Sequence, residues 1–171
     1  MKSSDHTGLT VATVASLVML ITAPAIAQDD GGWTHWGADA SSSRYAPFDQ
    51  INADNFEDLE VAWAWRGDNF GPHVYNIMRS TPIYANGTLY SVAGERRTVV
   101  AIDPATGETL WTFREPSTKR WEDSMRKSYG KGVAYEEVNG EGRIYIVSPA
   151  FFLHALDADT GIPIPNFGDN G

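Results

Sequence analysis

No cysteine occurs anywhere in the 171 residues. That absence excludes disulfide cross-links, zinc–thiolate centres, thiol nucleophiles and a lipid anchor on cysteine all at once. Basic side chains are also scarce: 13 Lys and Arg stand against 22 Asp and Glu, a formal net charge of −9. So acidic a chain is a poor partner for nucleic acid or an anionic membrane surface. Charge of either sign is missing between Asp5 and Asp29, if His6 is neutral. The positive start at Lys2, the apolar centre Leu9–Ile21 and the small-x-small run Ala25-Ile26-Ala27 mark residues 1–27 as a cleaved export signal. The expected location is periplasmic or secreted. The alternative is a membrane anchor over residues 8–27, close to the roughly 20 apolar residues a span needs. The threonines and serine of that stretch lower its hydrophobicity and favour cleavage. Cleavage removes Lys2 and Asp5, which cancel, so residues 28–171 also carry −9.

What the chain does have is turn chemistry at regular distances. Its glycine, proline and aromatic content suits a β-rich soluble domain rather than a disordered one. The stretch Ser80–Arg114 reads as a four-stranded antiparallel meander with no room for a helix. Thr81–Tyr84 and Thr88–Val92 flank Asn86-Gly87, a dipeptide that supplies positive φ cheaply and signals a tight hairpin. Thr98–Ile102 follows a polar tip, Gly94–Arg97. Asp103-Pro104-Ala105-Thr106-Gly107 then turns the chain into Glu108–Phe113, with Pro104 presetting φ and the Asp103 carboxylate accepting turn N–H groups. Ala101–Gly107 is echoed by Ala155–Gly161, 54 residues later. That period suits one blade of a β-propeller, roughly 40 to 50 residues in common families. The fold expected is therefore all-β, a partial propeller of two to three four-stranded antiparallel blades. Because a closed ring takes about four blades or more, residues 28–171 are read as the front portion of a longer protein.

The remaining segments fit around that meander. Gln28–Asn69 is acidic and aromatic. Within it, residues 51–59 suggest one helical turn capped by Asn52 or Asp54. Glu60–Arg66 alternates Val61, Trp63 and Trp65 against Glu60, Ala62 and Ala64, the pattern of a half-buried strand. Glu115–Lys131 is a polar insertion. Gly132–Glu136, Arg143–Ser148 and Phe151–Leu156 read as further strands, the first two joined by a hairpin at residues 138–142.

Several of these runs, taken in order, resemble the pyrroloquinoline-quinone (PQQ) dependent dehydrogenase family. They are Arg44-Tyr45-Ala46-Pro47, Gln50-Ile51-Asn52 with Asn55, Leu59 and Ala62-Trp63, then Thr81-Pro82, the Ala-x-Asp-x-x-Thr-Gly-x-x-x-Trp run ending at Trp111, and Gly130–Tyr135. The resemblance implies an exported, eight-bladed propeller holding PQQ near its axis with a calcium ion. It implies oxidation of a hydroxyl substrate and a respiratory electron acceptor, quinone or cytochrome. In the family the residue before Gly-Val-Ala-Tyr is usually an arginine contacting a PQQ carboxylate. Here it is Lys131, which keeps the charge and loses the bidentate fork. Ser148, before Pro149, matches a cofactor-bonding hydroxyl position, and Arg79 lies near a further cofactor-facing one. Alcohol-oxidising members carry adjacent cysteines before Gly-Val-Ala-Tyr; their lack here points to the sugar or polyol branch, of the glucose or quinate type. The family's catalytic aspartate and calcium ligands belong to later blades, so this stretch alone should be inactive.

Each assignment has a plainer rival. Lys131 would otherwise be a solvated lysine, Ser148 a hydroxyl bonded to backbone, and Arg79 a partner for one of the many acids nearby. Trp63, Trp65 and Trp111 read as inter-blade core, and Asp103 and Asp157 as turn formers. His35, His73 and His154 show no metal-ligand spacing. The rival function is a non-catalytic propeller acting as a binding or assembly scaffold.

Overall fold

The computed structural model describes residues 32–75, 79–125, 130 and 132–171. The signal segment and Lys131 lie outside the described residues. Two antiparallel meanders make the fold: β1 (Ile83–Ala85), β2 (Thr88–Ala93), β3 (Thr98–Ile102) and β4 (Thr109–Phe113) in one sheet, and β5 (Ala134–Val138), β6 (Glu141–Val147) and β7 (Leu153–Asp157) in the other. The first and fifth strands begin two residues later than the hydrophobic pattern predicts. Asn86-Gly87 and Asn139-Gly140 both form two-residue turns with positive φ throughout, whose twist matches that of the strands they join.

The repeated aspartate turn is the same object twice. The Asp103 carboxylate accepts the N–H groups of Ala105 (2.7 Å) and Thr106 (3.0 Å), and the Gly107 N–H returns to the Asp103 carbonyl. Asp157 accepts the Thr160 N–H at 2.9 Å and its hydroxyl at 2.6 Å, while the Gly161 N–H returns to the Asp157 carbonyl. Past this turn Ile162 and Ile164 bond to Asp157 and Ala155, continuing the second sheet beyond β7. Both aspartates are thus spent on turns. Asp103→Ala is expected to destabilise the full-length protein by about 1 kcal/mol, the net worth of an ordinary hydrogen bond. Urea unfolding measures it.

The core explains the burial. One face of the first sheet (Ile83, Tyr90, Val92, Val99, Ala101) packs on the second (Val133, Ile144, Ile146, Leu156). The other face (Ala93, Val100, Ile102) is covered by Trp63, Trp65 and Phe70. β3 is therefore buried on both faces, which is why Val99–Ile102 reads as an unbroken apolar run. Residues 33–34 lie between the innermost strands: Trp33 exchanges two backbone bonds with Tyr84, and the Thr34 carbonyl accepts the Tyr135 N–H.

Two expectations need correction. Glu60–Arg66 is not a strand. Its alternation reports burial of Trp63 and Trp65 on the first sheet, but burial alone does not provide a hydrogen-bonded ladder. The helical turn is a 3₁₀ turn at Phe56–Asp58 capped by Asn55, with no side-chain capping bond. In the loop before it the Asn55 side chain accepts the Asn52 N–H at 2.8 Å and the Asn52 side chain accepts the Asp54 N–H at 2.9 Å. The polar insertion contains a short helix, α1 (Lys119–Glu122), capped by the Thr118 hydroxyl.

Candidate functional site

Antiparallel topology sorts the loops onto two ends. The aspartate turns and both Asn-Gly hairpins share one end. The other receives the lead-ins to β1 (79–82) and β5 (130–133), the β2–β3 turn (94–97), the exit of β4 at Glu115 and the β6–β7 turn (148–152). Of the sequence-predicted contacts, Arg79 and Ser148 lie at this second end. Arg79 is exposed there, and neighbouring Ser80 has its hydroxyl 3.4 Å from that of Ser91. Gly132, at φ +113°, backs onto the same place. A Cβ on it would lie 3.2 Å from the Ser80 Cβ and 3.4 Å from the Thr81 carbonyl oxygen, so the starts of β1 and β5 touch where no side chain fits.

Ser148 is buried. Its N–H donates to the Phe152 carbonyl at 2.8 Å and its hydroxyl accepts the Phe152 N–H at 3.2 Å, closing the turn Ser148–Phe152 on itself. That turn is then held from outside by residues the sequence reading passed over. The Glu115 carboxylate accepts the Ala150 N–H at 2.9 Å, Arg120 donates to the Ala150 carbonyl at 2.6 Å, and the Ser124 hydroxyl donates to the Pro149 carbonyl at 2.7 Å. The Arg120 guanidinium also lies over the Phe152 ring, 4.6 Å from its centre. On the opposite side Arg97 donates to the Val147 carbonyl at 3.1 Å.

The charges at this end are unevenly solvated. Glu115, its side chain 4% exposed, sits 3.8 Å from the His154 ring nitrogen, and that ring meets Phe113 edge-on. Burial pulls the Arg97 pKa down, while the carboxylate of Glu115 works against the shift. Arginine's ordinary pKa is high enough that Arg97 stays cationic. Beside it opens a cavity of about 520 Å³, walled mainly by apolar groups such as Val92, Val133, Ile146 and Trp36, with Gly130 and Arg97 on its lining. Asp39 stands on the same lining, its pKa lowered chiefly by the backbone N–H of Ser43. Among the described residues no group of three or more His, Asp or Glu could hold a metal ion.

Known proteins share this fold. Residues 33–171 match the family model described as PQQ, glucose/ethanol/alcohol dehydrogenase, beta-propeller domain. Quinoprotein glucose dehydrogenase A of Acinetobacter calcoaceticus is 29% identical over 171 residues, spanning 86% of this chain and 20% of its own. The dehydrogenase subunit of the quinone alcohol dehydrogenase of Gluconobacter oxydans (strain 621H) is 32% identical over 147 residues, spanning 82% of this chain and 18% of its own. The crystal structure of quinohemoprotein alcohol dehydrogenase from Comamonas testosteroni superposes with a TM-score of 0.60 at 30% identity, over 78% of this chain and 19% of that one. The chain spans about a fifth of the length of these relatives. Its repeated aspartate turns, the meeting of β1 and β5 at Gly132 and a match over residues 33–171 lead to one assignment: the chain belongs to the PQQ-dependent dehydrogenase family of β-propellers.

Proposed function

We propose that this chain is the front part of an exported quinoprotein oxidoreductase that oxidises a sugar or polyol hydroxyl. The observation that carries the reading is one largely apolar cavity lined by Gly130, Gly132 and Val133, by the buried Arg97 and by Val147, the residue before Ser148. A flat tricarboxylate such as PQQ asks for that chemistry: apolar walls for its faces, a cation and hydroxyls for its edges. The residues present therefore fit the cofactor. Bound PQQ supplies a quinone that takes two electrons from the substrate carbon as hydride. Lys131 would neutralise a cofactor carboxylate as a point charge. The Ser148 hydroxyl, already accepting one N–H, retains a proton to donate, and Arg79 would add positive charge at the rim. The described residues offer no calcium site, so calcium ligands and the proton-accepting aspartate would come from elsewhere in the full-length protein. The lack of cysteine supports the sugar or polyol branch over the alcohol branch. A quinone or cytochrome would take the electrons onward, and the signal segment supports a periplasmic or secreted location.

The test uses the full-length protein freed of cofactor. PQQ should quench its tryptophan fluorescence saturably. With calcium added, glucose, quinate or glycerol should then drive reduction of a redox dye. PQQ binding without oxidation of any hydroxyl compound would favour the scaffold alternative, and no PQQ binding would overturn the reading. Lys131→Ala is expected to weaken PQQ about tenfold, the worth of one charge-assisted contact. An unchanged titration would remove Lys131 from the site.

A further inference from the structure

We infer that Arg97 is a positioning residue for the cofactor cavity, fixing from the first blade the backbone of the second that carries Ser148. This rests on the functional reading above and extends it to a residue outside the motifs that suggested it. Arg97 belongs to the β2–β3 turn and adopts φ +50°, a conformation that a non-glycine residue keeps only where its surroundings hold it. It is 9% exposed, and its side chain crosses to the other sheet. There Nη1 donates to the carbonyl of Val147, the residue before Ser148.

The same side chain supports the second lead-in. A Cβ on Gly130 would lie 3.1 Å from both Cδ and Nε of Arg97, so the Gly130 backbone packs directly on the arginine shaft. One guanidinium thus abuts the loop ends on both sides of the cavity. Glu115 completes the clamp: it offsets the buried charge of Arg97 and holds the far side of the Ser148–Phe152 turn through the Ala150 N–H. A lysine at position 97 could replace the charge but not the planar fork that packs and donates together. The plain alternative is that Arg97 only staples blade to blade and has no bearing on the cofactor.

A double-mutant cycle in the full-length apoprotein separates the two. Arg97→Met, Ser148→Ala and the double variant are titrated with PQQ, each checked for folding by circular dichroism and melting temperature. Arg97→Met is expected to weaken PQQ about tenfold and Ser148→Ala severalfold, with the double variant little weaker than Arg97→Met alone, because the two act through one contact. Arg97→Lys should fold and bind between Arg97→Met and wild type, and it stands in if Arg97→Met does not fold. Wild-type affinity in the Arg97 variant or in Ser148→Ala, or losses that simply multiply, would overturn the inference. A wild-type apoprotein that takes up no PQQ would instead bring down the functional reading itself.

Discussion

Trp111→Ala is expected to destabilise the full-length protein by about 3 kcal/mol, the low end for truncating a tryptophan in a core. The indole is only partly buried, but it bridges the two blades. Its Nε1 donates to the Ala158 carbonyl at 2.9 Å, and its ring lies 5.9 Å from that of Tyr90, whose hydroxyl bonds the same carbonyl at 3.2 Å. The ring rests on Gly161, where φ is +71° and a Cβ would overlap it. Gly161→Ala should therefore also be costly, by about 2 kcal/mol, from left-handed strain and overpacking together. The two losses share a cause and should not add. With the ring gone only the backbone strain remains, so Gly161→Ala should cost clearly less in the Trp111→Ala background. Denaturant unfolding of the four proteins reads this directly. Equal cost in both backgrounds would show that the ring contact is not what glycine is there to allow.

The same contact shows what could be read in advance. Trp63 stands to Gly107 as Trp111 stands to Gly161: its Nε1 donates to the Pro104 carbonyl at 2.9 Å, and a Cβ on Gly107 would lie 2.7 Å from its ring. Aspartate, glycine and tryptophan at fixed offsets are local signals, and they delivered the meander, the repeat and the inter-blade role of Trp111. Glu60–Arg66 misled because period-two alternation is a statement about burial. The segment buries Trp63 and Trp65 as β4 buries Trp111, yet makes no ladder among the described residues. Arg97 and Glu115 were hidden for a different reason. Their contacts, with Val147 and Ala150, span 50 and 35 residues, and each looked locally like a polar tip or a polar insertion. Glu115 did leave one trace: it continues the inward parity of Trp111 and Phe113 past the end of β4, which places a carboxylate on a buried face. Arg97 left none.

Glu115 is accordingly the second substitution with a large expected effect. Its carboxylate is almost wholly enclosed, beside a cationic arginine, a histidine ring nitrogen at 3.8 Å and the N–H of Ala150, a residue with no exposed surface. Glu115→Ala leaves the buried Ala150 N–H without its acceptor, so a loss of up to about 3 kcal/mol is expected by urea unfolding. Glu115→Gln keeps an acceptor for Ala150 and removes only the charge. If the hydrogen bond dominates, the amide should retain most of the stability; if the charge opposite Arg97 dominates, the two variants should fall together. The 2.9 Å bond to a fully buried N–H is short and direct, whereas the His154 ring nitrogen lies 3.8 Å from the carboxylate. The amide is therefore expected to lose only about 1 kcal/mol. An alanine variant as stable as wild type would mean that the Ser148–Phe152 turn is held by Arg120 and Ser124 alone.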